Sequence, residues 1–312
     1  MHAHTSGKLA LPGVSLYYEV RGAGPALLII PSGNGDATPF GPMADALAER
    51  YTVITYDRRG FSRSPLKGSV DDDLRIELDA YDAYRLLAHL AEPPAHVFGS
   101  SSGAIVALAL LERYPKQIRT LVCHEPPLAS VLPDAEQWLA FYAELYQTYR
   151  SSGVEEARAV FMEGMGMNVP TRPPKEVELP PDQLAAMLSR IRRNHTFWFE
   201  HEIRTYPAYV PDIALLRTLS DRLVLGNGSI GREHFPYRPN TVLSERIGKE
   251  IVHFPGGHVG YVTHPFEFAA DLAGVLTARD EPLGADARDG QPSECAACAA
   301  RARGSEAGVA GG

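Results

Sequence analysis

The chain has 312 residues, 45% of them hydrophobic and 22% charged, with a net charge of −8. That apolar content supports one large core, or a core with an inserted cap. Lysine and arginine are scattered rather than clustered, which argues against a nucleic-acid partner. No apolar run approaches the roughly 20 residues of a membrane span, and Met1 to Gly7 lack the apolar stretch of a secretion signal.

The first segments alternate between strand and helix patterns. Lys8 to Leu11 and Val14 to Val20 read as strands joined at Pro12-Gly13. Ala26 to Ile30 is apolar on every side, as in a parallel strand covered on both faces, and it ends in the tight turn Pro31-Ser32-Gly33-Asn34-Gly35. Pro39 to Arg50 has helical spacing, with Phe40, Met43 and Leu47 inward. Tyr51 to Tyr56 reads as a strand that runs into Asp57-Arg58-Arg59-Gly60-Phe61-Ser62-Arg63-Ser64. Asp71 to Ala91 is a long amphipathic helix with aspartates at its start, where the helix dipole favours negative charge. Then His96-Val97-Phe98 leads into Gly99-Ser100-Ser101-Ser102-Gly103, and helix-forming residues Ala104 to Leu111 lead out.

Arg119 to His124 is a further strand, ending at Glu125-Pro126-Pro127. From Pro133 to Asp212 the alternation stops. The chain there reads as helices rich in aromatics, interrupted by the proline-rich loop 170–181. A helical insert between two strands is where a lid over a site is expected. Alternation resumes with a strand over Asp221 to Leu225, a glycine-rich loop from Gly226 to Gly231 and a helix over Asn240 to Gly248. The last strand, Glu250 to Phe254, is followed by Pro255-Gly256-Gly257-His258-Val259-Gly260 and a closing helix from Thr263 to Ala278. Beyond Asp280 the composition cannot bury a core and reads as a disordered tail. Strand–helix alternation of this kind predicts an α/β fold with a mostly parallel sheet. The expected division is a core of residues 1–125 and 216–279, a helical cap over 126–215 and a tail over 280–312.

Three cysteines make no disulfide framework: Cys123 falls in an apolar strand, Cys295 and Cys298 in the tail. This usage points to a reducing, cytoplasmic location. The Cys295/Cys298 pair has no second pair to complete a zinc site, and nothing in the pattern calls for a metal or an organic cofactor.

The chemistry gathers around Ser101. A Gly-x-Ser-x-Gly pattern between strand and helix is the context of a nucleophile elbow, and a serine hydroxyl needs a base near neutral pH. Of eleven histidines, His258 is the best placed, on a glycine-rich loop after the last strand, where sites collect in open α/β sheets. His253, inside the strand, and His264, at the start of the last helix, read as structural.

In these motifs, residues 7–278 resemble the α/β-hydrolase family. The resemblance rests on Ser32-Gly33-Asn34-Gly35, the run Asp57 to Ser64, Gly99 to Gly103 and Phe254 to Tyr261, in that order at strand ends. It implies an eight-stranded, mostly parallel sheet flanked by helices with an inserted helical cap. It also implies Ser101 as nucleophile, His258 as base and the N–H groups of Asn34 and Ser102 as oxyanion hole. Asp57-Arg58-Arg59-Gly60 is a family marker, expected to tie loops near the oxyanion turn, with a substrate contact as the alternative.

Two departures stand out. Ser32-Gly33 replaces the family's frequent His-Gly. The loop that usually carries the triad acid reads Gly226-Asn227-Gly228-Ser229-Ile230-Gly231, with Ile230 where an aspartate is expected. An acid orients the imidazole and stabilises the imidazolium. Glu125, at the end of the strand after the nucleophile strand, is the first candidate, because some relatives such as haloalkane dehalogenases carry their acid there. Glu233 is the second, and a site without an acid is the third.

In the insert, Asn194-His195-Thr196-Phe197-Trp198-Phe199-Glu200-His201-Glu202 mixes aromatics with ionisable groups. His195, Trp198, His201 and Glu202 are the candidates to face a substrate. The expected activity is serine hydrolysis of an ester, thioester or lactone of a small apolar or aromatic molecule through an acyl-enzyme. The alternatives are a non-hydrolytic enzyme of the same scaffold (a perhydrolase, a lyase or a catalyst of natural-product cyclisation or rearrangement) and a ligand-binding member. The partner is a small-molecule substrate, with no nucleic acid and no membrane.

Overall fold

Residues 4–167 and 171–280 are described by a computed structural model, in which strands and helices alternate from the N-terminus. β1 (His4–Leu11) and β2 (Val14–Arg21) form a hairpin across Pro12-Gly13. They are followed by β3 (Ala26–Ile30), α1 (Gly41–Leu47), β4 (Thr52–Tyr56), α2 (Arg75–Leu90), β5 (Ala95–Ser100), α3 (Ser102–Arg113) and β6 (Ile118–His124). Next come α4 (Ala135–Ser152), α5 (Val154–Gly164), α6 (Pro181–His201) and α7 (Ile213–Thr218). The chain closes with β7 (Leu223–Gly228), α8 (Arg238–Ile247), β8 (Ile251–Phe254), α9 (Gly260–Thr263) and α10 (Pro265–Thr277).

The strands form one eight-stranded sheet in the order β1-β2-β4-β3-β5-β6-β7-β8. β2 runs antiparallel to both neighbours, and β3 to β8 are mutually parallel. Because side chains alternate along a strand, each apolar strand feeds two cores. Leu28, Ile30, Ile54 and Val97 pack toward α2, α3 and α8, while Leu27, Ile29, Val53 and Phe98 pack toward α1 and α10. This two-sided burial explains why these strands are apolar without alternation.

Three boundaries differ from the sequence reading. The helix expected over 39–50 is a single turn at Thr38–Phe40 followed by the shorter α1. The closing helix is broken into α9 and α10 at His264-Pro265, since proline lacks an N–H and forces the preceding residue out of helical conformation (His264 has ψ 53°). β7 continues through Gly228, so half of the expected glycine-rich loop is strand, and the Asn227 amide is buried and donates to the Tyr237 carbonyl. The tail from 281, with Cys295 and Cys298, lies outside the described residues.

Between β6 and β7, helices α4 to α6 gather around an apolar cluster of their own that includes Tyr142, Leu145, Ala157, Met165, Phe199 and Ile203. Among the described residues no helix is long and apolar enough to cross a membrane. No group of three or more His, Cys, Asp or Glu side chains gathers there in a metal-binding arrangement.

Candidate active site

The parallel register places the site. Ile30 pairs with Gly99, Ser100 with His124, His124 with Gly226, and Gly228 with Phe254. The turn after β3, the elbow after β5, Glu125 after β6 and the loop after β8 therefore meet at one edge of the sheet, the C-terminal ends of its strands.

Ser101 sits between β5 and α3 with φ 56° and ψ −125°, a conformation strained for a residue with a side chain. Its amide is tied to the His124 carbonyl at 2.9 Å. Three non-glycine residues have positive φ among the described residues: Ser62, Ser101 and Glu125. Such strain concentrates at functional sites, where the surroundings impose it. The elbow also needs its small residues: a Cβ on Gly103 would overlap the carbonyl oxygens of Ile30 and Pro31.

Glu125 is 2% exposed and both its oxygens are engaged. Oε2 lies 2.7 Å from His258 Nδ1, and Oε1 accepts from the Gly228 amide at 2.8 Å. Burial pushes the carboxyl upward. The hydrogen bond and charge of His258, with lesser help from His124 and Gly228, hold it below the ordinary glutamate value. With Nδ1 engaged by the carboxylate, the His258 ring lines the same cavity as Ser101 and Ser102. Glu233 is elsewhere, 77% exposed beside His234, and Ile230 points outward.

Behind this pair lies a residue that the sequence reading passed over. His124 is fully buried against Phe98, Phe254 and Phe268, with its ring 6.4 Å from that of His258. Its Nδ1 lies 3.2 Å from Ser100 Oγ, and burial pushes its pKa down to about 4. A histidine closing the apolar run Leu121-Val122-Cys123 was the available signal.

Trp198 and Glu202 stand on the cavity wall, with Pro127, Tyr142, Phe161, Met165, Met167, Ile203 and Tyr206. His195 and His201, expected there, are not on it. The His201 Nδ1 is 2.8 Å from Asp72. His195 is half-buried within the electrostatic reach of Arg158 and Glu155, and burial takes its pKa to about 4. Nor is Glu202 free for substrate: Arg58 Nη2 reaches it at 2.7 Å and Arg75 Nη2 at 3.3 Å. Arg58 also donates to the Ser32 carbonyl at 3.3 Å, which is the loop-tying function expected of the Asp57-Arg58-Arg59-Gly60 run. Asn34 is off the cavity wall, in the turn whose Gly33 abuts the Trp198 ring.

Residues 25–198 match the family described as the alpha/beta hydrolase fold. An uncharacterized hydrolase of Bacillus subtilis (strain 168), YraK, is 36% identical over 277 residues, covering 87% of this chain and 96% of that protein. A zearalenone hydrolase of Bionectria ochroleuca is 29% identical over 82% of this chain and 92% of its own length. Among solved structures, the proline iminopeptidase of Mycobacterium smegmatis superposes with a TM-score of 0.64 at 19% identity, over 90% of this chain and 100% of that one, a likeness of fold alone. The chain belongs to the α/β-hydrolase fold family, and within it to the enzymes that act as hydrolases.

Proposed function

We propose that this hydrolase works through a serine nucleophile, cleaving an ester, thioester or lactone of a small apolar or aromatic molecule. The observation that carries the reading is the Glu125–His258 hydrogen bond beside a strained Ser101 on the same cavity. In this reading His258 Nε2 removes the Ser101 proton as Oγ attacks the carbonyl carbon, and the charge on the carbonyl oxygen is taken up by the N–H of Ser102, on the cavity wall, with that of Asn34 from the turn that abuts Trp198 of the same wall. His258 returns the proton to the departing alkoxide or thiolate. A water deprotonated by His258 then attacks the acyl-enzyme and frees Ser101. Glu125 holds the imidazole tautomer and offsets the imidazolium charge without itself taking the proton.

Helices α4 to α6 act in this reading as the cap, since they bring Tyr142, Phe161, Met165, Met167 and Trp198 over Ser101. Those walls are apolar and aromatic and favour a substrate of the same character. The relatives named zearalenone hydrolase put lactones first among the substrates to test. A non-hydrolytic reaction is the second reading, suggested by Ile230 where an acid is expected; the Glu125–His258 hydrogen bond supports hydrolysis over it.

A fluorophosphonate probe should label Ser101, and Ser101→Ala should abolish both labelling and turnover of lactones and short acyl esters. Labelling at another residue, or none, would reject the serine mechanism. Labelling with no hydrolysis across that panel would favour the non-hydrolytic reading.

A further inference from the structure

One face of α6 follows the turn after β3 almost residue by residue. Arg190, Asn194, Trp198 and Glu202 are spaced four apart, the spacing that stacks side chains on one helix face. Glu202, just past the helix end, binds Arg58 at 2.7 Å, and the same Arg58 nitrogen donates to the Ser32 carbonyl at 3.3 Å. Trp198 packs so closely on Gly33 that a Cβ there would lie 2.7 Å from the indole nitrogen. Asn194 Nδ2 donates to the Asn34 carbonyl at 2.7 Å. Arg190 donates to Asp36 at 2.8 Å and to Thr38 Oγ1 at 3.0 Å.

Asn194 is the centre of this arrangement. It is 3% exposed in a helix whose first two turns are mostly in solvent. Asparagine is a poor residue for a helix interior, and a buried amide requires partners for both ends. Besides the Asn34 carbonyl, its Nδ2 donates to Ser62 Oγ at 2.7 Å, while its Oδ1 accepts from the Ser62 amide at 3.0 Å. Ser62 is the third strained residue, with φ 44°, and its hydroxyl continues to Asp36 at 2.6 Å. Asp36 in turn caps the Thr38 amide at 2.8 Å.

We propose that Asn194, supported by Arg190, is a positioning residue for the oxyanion turn, fixing the Asn34 peptide from the insert side. The idea deepens the serine-hydrolase reading and rests on it. Ser32 stands where relatives often carry histidine, and here the turn is held from outside by α6. Two hydrogen bonds of 2.7 Å run from Asn194 Nδ2, one to the Asn34 carbonyl and one to Ser62 Oγ, so a shift of the helix shifts the turn that carries the Asn34 N–H. The oxyanion hole is then competent only while α6 is seated.

Asn194→Leu keeps the side-chain size and removes every polar contact, and Arg190→Gln, at a half-buried position, loosens only the far end of the turn. Hydrogen exchange of amides 33–38 should be at least about tenfold faster in Asn194→Leu, with β3 and β5 amides unchanged. Arg190→Gln should show a smaller increase confined to 36–38. Fluorophosphonate labelling of Ser101 and kcat should fall by about tenfold to a hundredfold while KM stays within about twofold, because a small misplacement of a catalytic donor acts on the transition state. Exchange unchanged in both variants overturns the inference, whatever the enzyme hydrolyses. Faster exchange with wild-type labelling and kcat also overturns it, leaving a structural contact alone. A wild-type chain that no probe labels at Ser101 rejects the serine reading separately, and it overturns the catalytic role assigned to Asn194 with it.

Discussion

At Glu125 the backbone adopts φ 45°, which turns the side chain across the strand ends to meet His258 and the Gly228 amide. The carboxylate is thus fixed at both oxygens, an arrangement suited to holding one imidazole tautomer. Glu125→Gln keeps the shape but offers an amide where the imidazole needs an acceptor. Turnover should drop by about three to four orders of magnitude, with thermal unfolding little changed; a variant within tenfold of wild type would remove Glu125 from the proposed triad. At this scale the sequence was informative about Ser101 and His258, because glycine-rich motifs mark the turns that carry them. It left Glu125 and Glu233 both open, since one carboxylate next to two prolines and another on a loop carry the same local signal. Only the pairing of His124 with Gly226 across β6 and β7 separates them in space.

The elements explain why the elbow has so little freedom. From Ser102 to Leu111 nearly every side chain of α3 is buried, and its first turn presses on the end of β3 through Gly103. Gly103→Ala should push α3 away from Ile30 and Pro31, at a cost of about 2–4 kcal/mol of stability and with loss of Ser101 labelling. Denaturant unfolding with a midpoint equal to wild type would show that the helix can move without penalty. Element identity was legible because the strands and helices differ in period. Their ends were less so. β7 extends into glycines because Asn227 finds buried partners in the fold, a tertiary contact that no local pattern announces. The cavity side of α6 was legible only in part: the spacing of Trp198 and Glu202 was available, but His195 and His201, close to them in sequence, are not on the cavity wall.

Across the whole molecule, insert and core are joined by buried charge. Arg58, Arg75, Asp79 and Glu202 are each at most 1% exposed, and Glu202 of the insert pairs with Arg58 and Arg75 of the core, so separating the parts would strand ions in a dry interior. Two histidines make stability depend on pH. His124 and His195 are both brought down to about 4 by burial. Each is neutral in the native state between pH 6.5 and 4, while the unfolded chain takes up protons there. Their contribution to stability is therefore complete above about pH 6.5 and is lost as the pH falls toward 4, by on the order of 2–3 kcal/mol per histidine. Denaturant titrations across that window should show a shallower decline for His195→Gln than for wild type, and parallel declines would refute the linkage.

By itself the sequence determined the alternation of elements, the elbow at Ser101 and the loop of His258. These depend on residue period and on small residues at sharp turns, both of which are local. The tertiary structure alone decided which carboxylate meets His258, that Glu202 belongs to Arg58 and Arg75, and that Asn194 grips the Asn34 turn. Each of those is a contact between residues far apart in the chain. Sheet register and helix rotation set them, and single residue types do not record either one.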